Sequence, residues 1–139
     1  MLREGSGTDL VLAIREAPRS LVFISVPWSG PERNARQVFR AAAAKLEAAH
    51  PQLGVAFFRL EADEDETSKQ WLSSVGYPHF AEVGAGSLLW LQSGQVVHSE
   101  ISANSLGVEG MVARSTSLWQ IPNDALHGGG GGQSFLKPQ

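Results

Sequence analysis

The sequence predicts an α/β fold in which a central mixed β-sheet is flanked by helices. Two apolar segments of strand length, LVFISV and VAFFRL, are separated by a long stretch with helical periodicity. Strands that are apolar on both faces are typical of a sheet covered by helices on both sides. A hairpin pattern and another helical pattern follow, which favours a mixed sheet. With 139 residues, 42% of them hydrophobic, we expect one domain.

The first half of the chain carries the clearest elements. Thr8 or Asp9 can cap a short helix that must end before Pro18. Residues 21–26 form the first buried strand, and Pro31 suits the first turn of the helix after it. Apolar residues then recur at helical spacing along one face: Ala35, Val38, Phe39, Ala42, Leu46 and Ala49. Pro51 and Gly54 end this helix.

The second half predicts a strand, a short helix, a hairpin and a last helix. Residues 55–60 form the second buried strand, and Trp71 and Trp90 face the core. The pair Ser93-Gly94 supplies the turn of the hairpin. Asn104 or Ser105 begins the last helix, which continues to about residue 119. We therefore assign residues 1–120 to the domain and residues 121–139, with five consecutive glycines, to a flexible tail.

Composition excludes several classes of function. The net charge of -3 gives no basic surface for nucleic acid, and no basic amphipathic helix suggests a membrane partner. We find no signal peptide and no apolar run of membrane-spanning length, so we expect a cytoplasmic protein. The sequence holds no cysteine, which removes thiolate chemistry and cysteine-ligated metals. Four histidines without ligand-like spacing predict no metal site, and no cofactor is expected.

The segment Trp28-Ser29-Gly30-Pro31-Glu32 lies between the first buried strand and the long helix. It resembles the WCGPC active site of the thioredoxin family, and the resemblance extends over residues 10–119. FRLEADEDETSKQWLSSVGYP is similar to the family's strand, acidic turn and helix that ends in a cis-proline, here Pro78. The hairpin SLLWLQSGQVV is also similar. An alternative register puts Gly86 at the cis-proline position; in the preferred register, HFAEVGAG is an insertion or an extra strand.

The departures from the family motif concern its reactive groups. Ser29 and Glu32 replace the two cysteines, and Phe23 occupies the position of the family's buried acid. Neither a hydroxyl nor a carboxylate can replace a thiolate in thiol–disulfide exchange. The resemblance therefore implies a thioredoxin-like fold without dithiol oxidoreductase activity.

The features that remain predict a binding role. In the family, an apolar rim docks extended polypeptide, and the resemblance places the corresponding rim at Trp28, Gly30, Pro31, Tyr77 and Pro78. We expect a non-catalytic module that binds a protein or an extended peptide, or acts like a chaperone. The simpler interpretation is that the two aromatic residues cover the edge of the core and that Pro31 only starts a helix.

The alternative function is an enzyme with non-thiol or glutathione-dependent chemistry. Ser29 at a helix start could bind an anion or act as a nucleophile, with His79 as its base. The simpler interpretation is that Ser29 caps the helix and His79 is exposed. The acidic run at residues 61–66 lacks the glycine and the spacing of a calcium loop, so we interpret it as a helix N-terminus.

Overall fold

The computed structural model describes residues 2–63 and 65–119, and the predicted tail at 121–139 lies outside these ranges. The strands are β1 (Leu2–Gly5), β2 (Arg19–Ser25), β3 (Ala56–Glu61), β4 (Ser87–Gln92) and β5 (Gln95–Glu100). The helices are α1 (Thr8–Glu16), α2 (Gly30–Ala49), α3 (Glu66–Ser74), α4 (Phe80–Val83) and α5 (Ala103–Trp119). A 3-10 turn at Pro51–Leu53 follows α2.

The five strands within residues 2–63 and 65–119 form one mixed sheet in the order β1-β3-β2-β4-β5. Strands β1, β3 and β2 are parallel, and β4 and β5 are antiparallel to their neighbours. The predicted mixed sheet is therefore confirmed. The carboxyl ends of β2 and β3 lie together at one edge, and the chain leaves β2 there to enter α2. Loops at this edge are the usual location of ligand sites in open α/β sheets.

Helices cover both faces of the sheet. Alternate residues of the central strands point in opposite directions, so each strand contributes side chains to both cores. On one face, Val22 and Ile24 pack with residues of α1, α3 and α4. On the other face, Leu21 and Phe23 pack with α2 and α5. Phe23 is fully buried and stacks on Phe39 with ring centroids 5.1 Å apart. Continuous apolar runs in β2 and β4 are thus explained by burial on two sides.

Most predicted elements are present, and two were not foreseen. Trp71 and Trp90 are buried, as predicted, and the hairpin turns at Ser93 and Gly94, both with positive φ. Strand β1 was missed because LREG has no apolar alternation. The segment considered as an insertion or an extra strand forms the short helix α4 and a turn. Helix α5 is interrupted at Gly107, whose φ is 70°.

The preferred register at Pro78 was wrong. No peptide bond among the described residues is cis, and Pro78 lies before α4, not before β4. Gly86 directly precedes β4, as in the alternative register. A Cβ placed on Gly86 would lie 2.3 Å from the Cβ of Ala35, so this loop approaches α2 more closely than any side chain allows. Separately, none of the described helices has the length and apolar character needed to cross a membrane.

Candidate functional site

The candidate site lies where β2 ends and α2 begins. Trp28, in the connecting loop, is 69% exposed, although most large apolar residues nearby are buried. The end atom of its indole ring points toward Gly84, where an added Cβ would lie 3.9 Å from it. The same Cβ would lie 2.8 Å from the Ser29 hydroxyl, so only glycine fits between the loop and the start of α2. The sequence analysis did not identify Gly84 as part of the site. The Gly-Ala-Gly triplet at residues 84–86 could have indicated a tight turn that packs closely against another element.

Ser29 occupies the N-cap position of α2, but its side chain does not cap the helix. The hydroxyl donates a 2.6 Å hydrogen bond to the carbonyl oxygen of Gly84. The expectation that Ser29 caps α2 through its hydroxyl was therefore wrong. His79 is exposed, and its ring packs against Phe80 at 4.7 Å between centroids. The Ser29 proton is thus directed to a carbonyl, which cannot act as a general base.

Glu32 stands at the position of the family's second cysteine and is completely buried. Its carboxylate accepts hydrogen bonds from Ser25 Oγ at 3.2 Å and from Arg36 Nε and Nη2 at 3.0 and 3.1 Å. A buried carboxylate is tolerated when it is both ion-paired and hydrogen-bonded. Glu32 therefore serves to hold the first turn of α2 against the end of β2, and its carboxylate oxygens are already engaged.

Arg59 extends this polar network under the site. It lies in the middle of β3 and is 9% exposed. Its Nη1 donates to Ser25 Oγ at 2.8 Å, Nε donates to Glu4 at 3.0 Å, and Nη2 donates to Glu61 at 3.0 Å. Sequence reading took VAFFRL only as an apolar strand and missed this role. The signal was present, since an arginine inside a buried strand needs acidic partners.

A cleft of about 410 Å³ opens beside Trp28. Its lining residues are Ser6, Pro27, Trp28, Glu61, Asp63 and Asp65. Three residues of the acidic run, which the sequence suggested only as a helix start, therefore line the same cleft as the exposed indole. This arrangement is created by the topology, which places the loops after β1, β2 and β3 side by side.

The three carboxylates of the cleft differ in their partners. Glu61 accepts a hydrogen bond from Arg59. Asp65 is the N-cap of α3 and accepts hydrogen bonds from Ser68 Oγ at 2.7 Å and Ser68 N at 2.8 Å. These bonds hold the pKa of Asp65 below its ordinary value of 3.8, so it is ionised at neutral pH. Asp63 forms no ion pair with any other residue within 2–63 and 65–119.

The residues of the predicted rim do not all line one cleft. Gly30 and Pro31 are exposed at the start of α2, where the Pro31 carbonyl accepts a 3.3 Å hydrogen bond from Asn104. Tyr77 is partly buried and packs on Phe80 at 5.0 Å between ring centroids. Pro78 lines a second cleft of about 220 Å³. Asp63 lines both clefts, but Pro78 does not line the one beside Trp28. Trp28 is therefore the member of the rim that lines the larger cleft.

Metal binding has no geometric support in the described ranges. Within residues 2–63 and 65–119, no group of three histidine or acidic side chains is arranged to hold a metal ion. The carboxylates around Trp28 thus border a cleft without converging on one point.

Comparisons with known proteins find similarity only among solved structures. No protein-family model matches the sequence. No curated protein matches it either. Among solved structures, thioredoxin O2 from Arabidopsis thaliana is similar at a TM-score of 0.61 and 12% identity, over 85% of this chain and 94% of that one. Thioredoxin from Trypanosoma brucei brucei is similar at 0.55 and 14% identity, over 91% and 92%.

A third similar structure is longer. The zinc-bound form of human ERp44 matches at a TM-score of 0.58 and 13% identity, over 83% of this chain. This chain spans about a third of that protein, 31% of its length. The TM-scores show a common fold, and at identities this low the similarity shows the fold alone. Residues 2–63 and 65–119 thus have the thioredoxin fold, in a chain that holds no cysteine at either position of the redox motif.

Proposed function

We propose that this chain is a non-catalytic binding module that docks an extended polypeptide at the cleft beside Trp28. The observation that carries the proposal is the position of Trp28, which is 69% exposed beside a cleft of about 410 Å³. Aromatic residues of this kind supply large contact area at interfaces and are frequent binding hot spots. A side chain at Gly84 would clash with Ser29, 2.8 Å from an added Cβ, so the glycine keeps this loop close to the start of α2 and beside Trp28.

The chemistry of the surrounding residues supports binding over reaction. Without cysteine, the chain cannot perform thiol–disulfide exchange. The remaining reactive candidates are occupied, since Ser29 donates to Gly84 and Glu32 is paired with Arg36. These contacts fix the start of α2 beside Trp28, and a preorganised surface lowers the entropic cost of binding.

The alternative, an enzyme with non-thiol or glutathione-dependent chemistry, has less support. A serine nucleophile needs a base within hydrogen-bond reach, and the Ser29 hydroxyl has a carbonyl there. Glutathione is an anionic peptide, and the carboxylates of Glu61, Asp63 and Asp65 border the cleft where it would lie. Repulsion between these carboxylates and the anionic groups of glutathione opposes its binding.

The proposal is tested by selecting peptides from a random display library of about twelve residues against the immobilised chain. Selected peptides are synthesised, and their Kd is measured by fluorescence anisotropy for the wild type and for Trp28→Ala. Truncation of an aromatic hot spot costs about 2 kcal/mol or more, so we expect Kd to rise about thirtyfold.

Val97→Ala is the matched control, because Val97 is an exposed apolar residue on β5, 47% accessible and outside the cleft. We expect this variant to bind like the wild type. Peptides that bind both variants as tightly as the wild type, or a selection that yields no binder, would overturn the proposal.

A further inference from the structure

We infer that the cleft beside Trp28 selects a basic side chain, so that the docked polypeptide presents an arginine or a lysine between the indole and Asp63. The inference rests on the proposed docking function and specifies the chemistry of the partner. It follows from the charges of the cleft, from the exposed aromatic ring and from the absence of a converging metal site in the described ranges.

The charges of the cleft are of one sign. The six residues that line it within 2–63 and 65–119 are acidic, apolar or hydroxyl-bearing, and none of these six carries a positive charge. Glu61 is partly neutralised by Arg59, whereas Asp63 has no ion-pair partner within 2–63 and 65–119. Asp65 accepts hydrogen bonds from the neutral donors of Ser68, so its negative charge is kept. A surface with an uncompensated negative charge attracts a cationic partner and disfavours an anionic one.

The aromatic ring adds a second preference for a cation. The face of a tryptophan ring attracts guanidinium and ammonium groups, and tryptophan does this better than the other aromatic residues. The ring of Trp28 lines the same cleft as Asp63. An arginine side chain can lay its apolar stem and planar head on an indole while its N–H groups reach a carboxylate.

The spacing of the carboxylates favours an organic cation over a metal ion. Metal binding requires several oxygen ligands within about 2.6 Å of one point. No such group occurs within residues 2–63 and 65–119. An arginine or lysine side chain of a peptide does not need carboxylates that converge on one point, because its head group and stem are extended and can contact carboxylates at different positions.

The second cleft limits where the cation can lie. Asp63 also borders the smaller cleft, whose lining includes Lys69 and Glu82. On that side of Asp63, Lys69 would repel a basic group and offset the attraction of Glu82, whereas the side toward Trp28 has no cation among the described residues of its lining. The favourable position is therefore between Trp28 and Asp63.

The test uses the peptides that bind in a Trp28-dependent manner. Each peptide is also synthesised with its arginine replaced by citrulline, which keeps the shape and removes the charge. We expect the selected peptides to be enriched in arginine or lysine, and citrulline to weaken binding about fivefold. Asp63→Asn should weaken the arginine peptide by a similar factor and leave the citrulline peptide unchanged. Glu16→Gln, which removes one charge at the exposed end of α1 outside the cleft, should change neither.

The outcomes separate this inference from the docking function. Trp28-dependent peptides that lack basic residues, or that bind Asp63→Asn unchanged, would overturn the basic-residue inference and leave the docking function standing. A loss of equal size in Glu16→Gln would show only a long-range charge effect and would also overturn it. Peptides that bind without regard to Trp28 would overturn both.

Discussion

The Ser29 hydroxyl donates a 2.6 Å hydrogen bond to the carbonyl oxygen of Gly84, so the loop before β4 is tied to the start of α2. This bond lies at the position where the thioredoxin motif has its first cysteine. The hydroxyl has thereby become a structural group that fixes the loop next to Trp28. We therefore expect both the stability of the fold and the shape of this surface to depend on the bond.

Ser29→Ala is expected to destabilise the fold by about 1 kcal/mol, the usual net value of one hydrogen bond. The reason is that the Gly84 carbonyl loses its donor while the rest of the loop stays in place. Urea unfolding measures the change in free energy. Ser105→Ala, an exposed position on α5, is the control and should differ from the wild type by less than about 0.5 kcal/mol. Equal stability of the wild type and Ser29→Ala would contradict the structural role of the hydroxyl.

Gly86→Ala is expected to be strongly destabilising. Its φ of 72° is unfavourable for alanine by about 1–2 kcal/mol, and the new Cβ would lie 2.3 Å from Ala35, which adds about 1–3 kcal/mol of overpacking. Gly54→Ala separates the two effects, because Gly54 has a φ of 64° with no atom within 4 Å of an added Cβ. Thermal or urea unfolding should show a clearly larger loss for Gly86→Ala. Similar losses in both variants would refute the close approach of the loop to α2.

His98 should make stability depend on pH. Burial, followed by the charge of Arg114, lowers the pKa of His98 below its ordinary value of 6.5, against the opposing effect of Glu100. Because the folded pKa is the lower one, the unfolded chain binds more protons between the two values, and stability rises with pH through this range. Arg114 also donates to Nε2 of His98, which requires a neutral ring.

The measurement is the free energy of unfolding as a function of pH, for the wild type and for His98→Gln. As the pH falls through 6.5 and then through the lower folded pKa of His98, the wild type should lose stability that the variant does not lose. Parallel curves for the two proteins would show that the ring of His98 is not held in its neutral form.

The fluorescence of Trp28 should report the negative charge of its cleft. Trp71, Trp90 and Trp119 are at most 5% exposed, whereas Trp28 is 69% exposed, so small quenchers in solution reach mainly Trp28. At low ionic strength, quenching by caesium ions relative to iodide should exceed the ratio for free N-acetyltryptophanamide by about twofold. The excess should fall in Asp63→Asn and disappear in high salt. A ratio below that of the free compound would contradict the charge assignment.

Much of the fold was predictable because its signals are local. The buried strands β2 and β3, the long helix α2 and the hairpin follow from apolar patterns and turn residues, and all are present. Strand β1 has no such pattern and is held by pairing with β3 and by the ion pair of Glu4 with Arg59. These contacts join residues far apart in the sequence, so no local pattern reveals them.

The site was predictable only in part, for a related reason. An ungapped match placed Pro78 before the hairpin, whereas the chain inserts α4 and the Gly84–Gly86 turn there. The sequence identified Trp28 as an exposed residue of interest, but not its neighbours Asp63 and Gly84. Their proximity results from the parallel arrangement of β2 and β3 and from close packing at glycine, which become visible only in three dimensions.

The binding surface is located most directly by a chemical-shift map of the 15N-labelled chain with a selected peptide. We expect the largest changes at the Trp28 indole N–H and at the amides of Asp63, Asp65 and Gly84, and we expect them to saturate with the Kd measured by anisotropy. Largest changes on β5 or α5, with the Trp28 indole unmoved, would refute docking beside Trp28 and place the binding surface on another face.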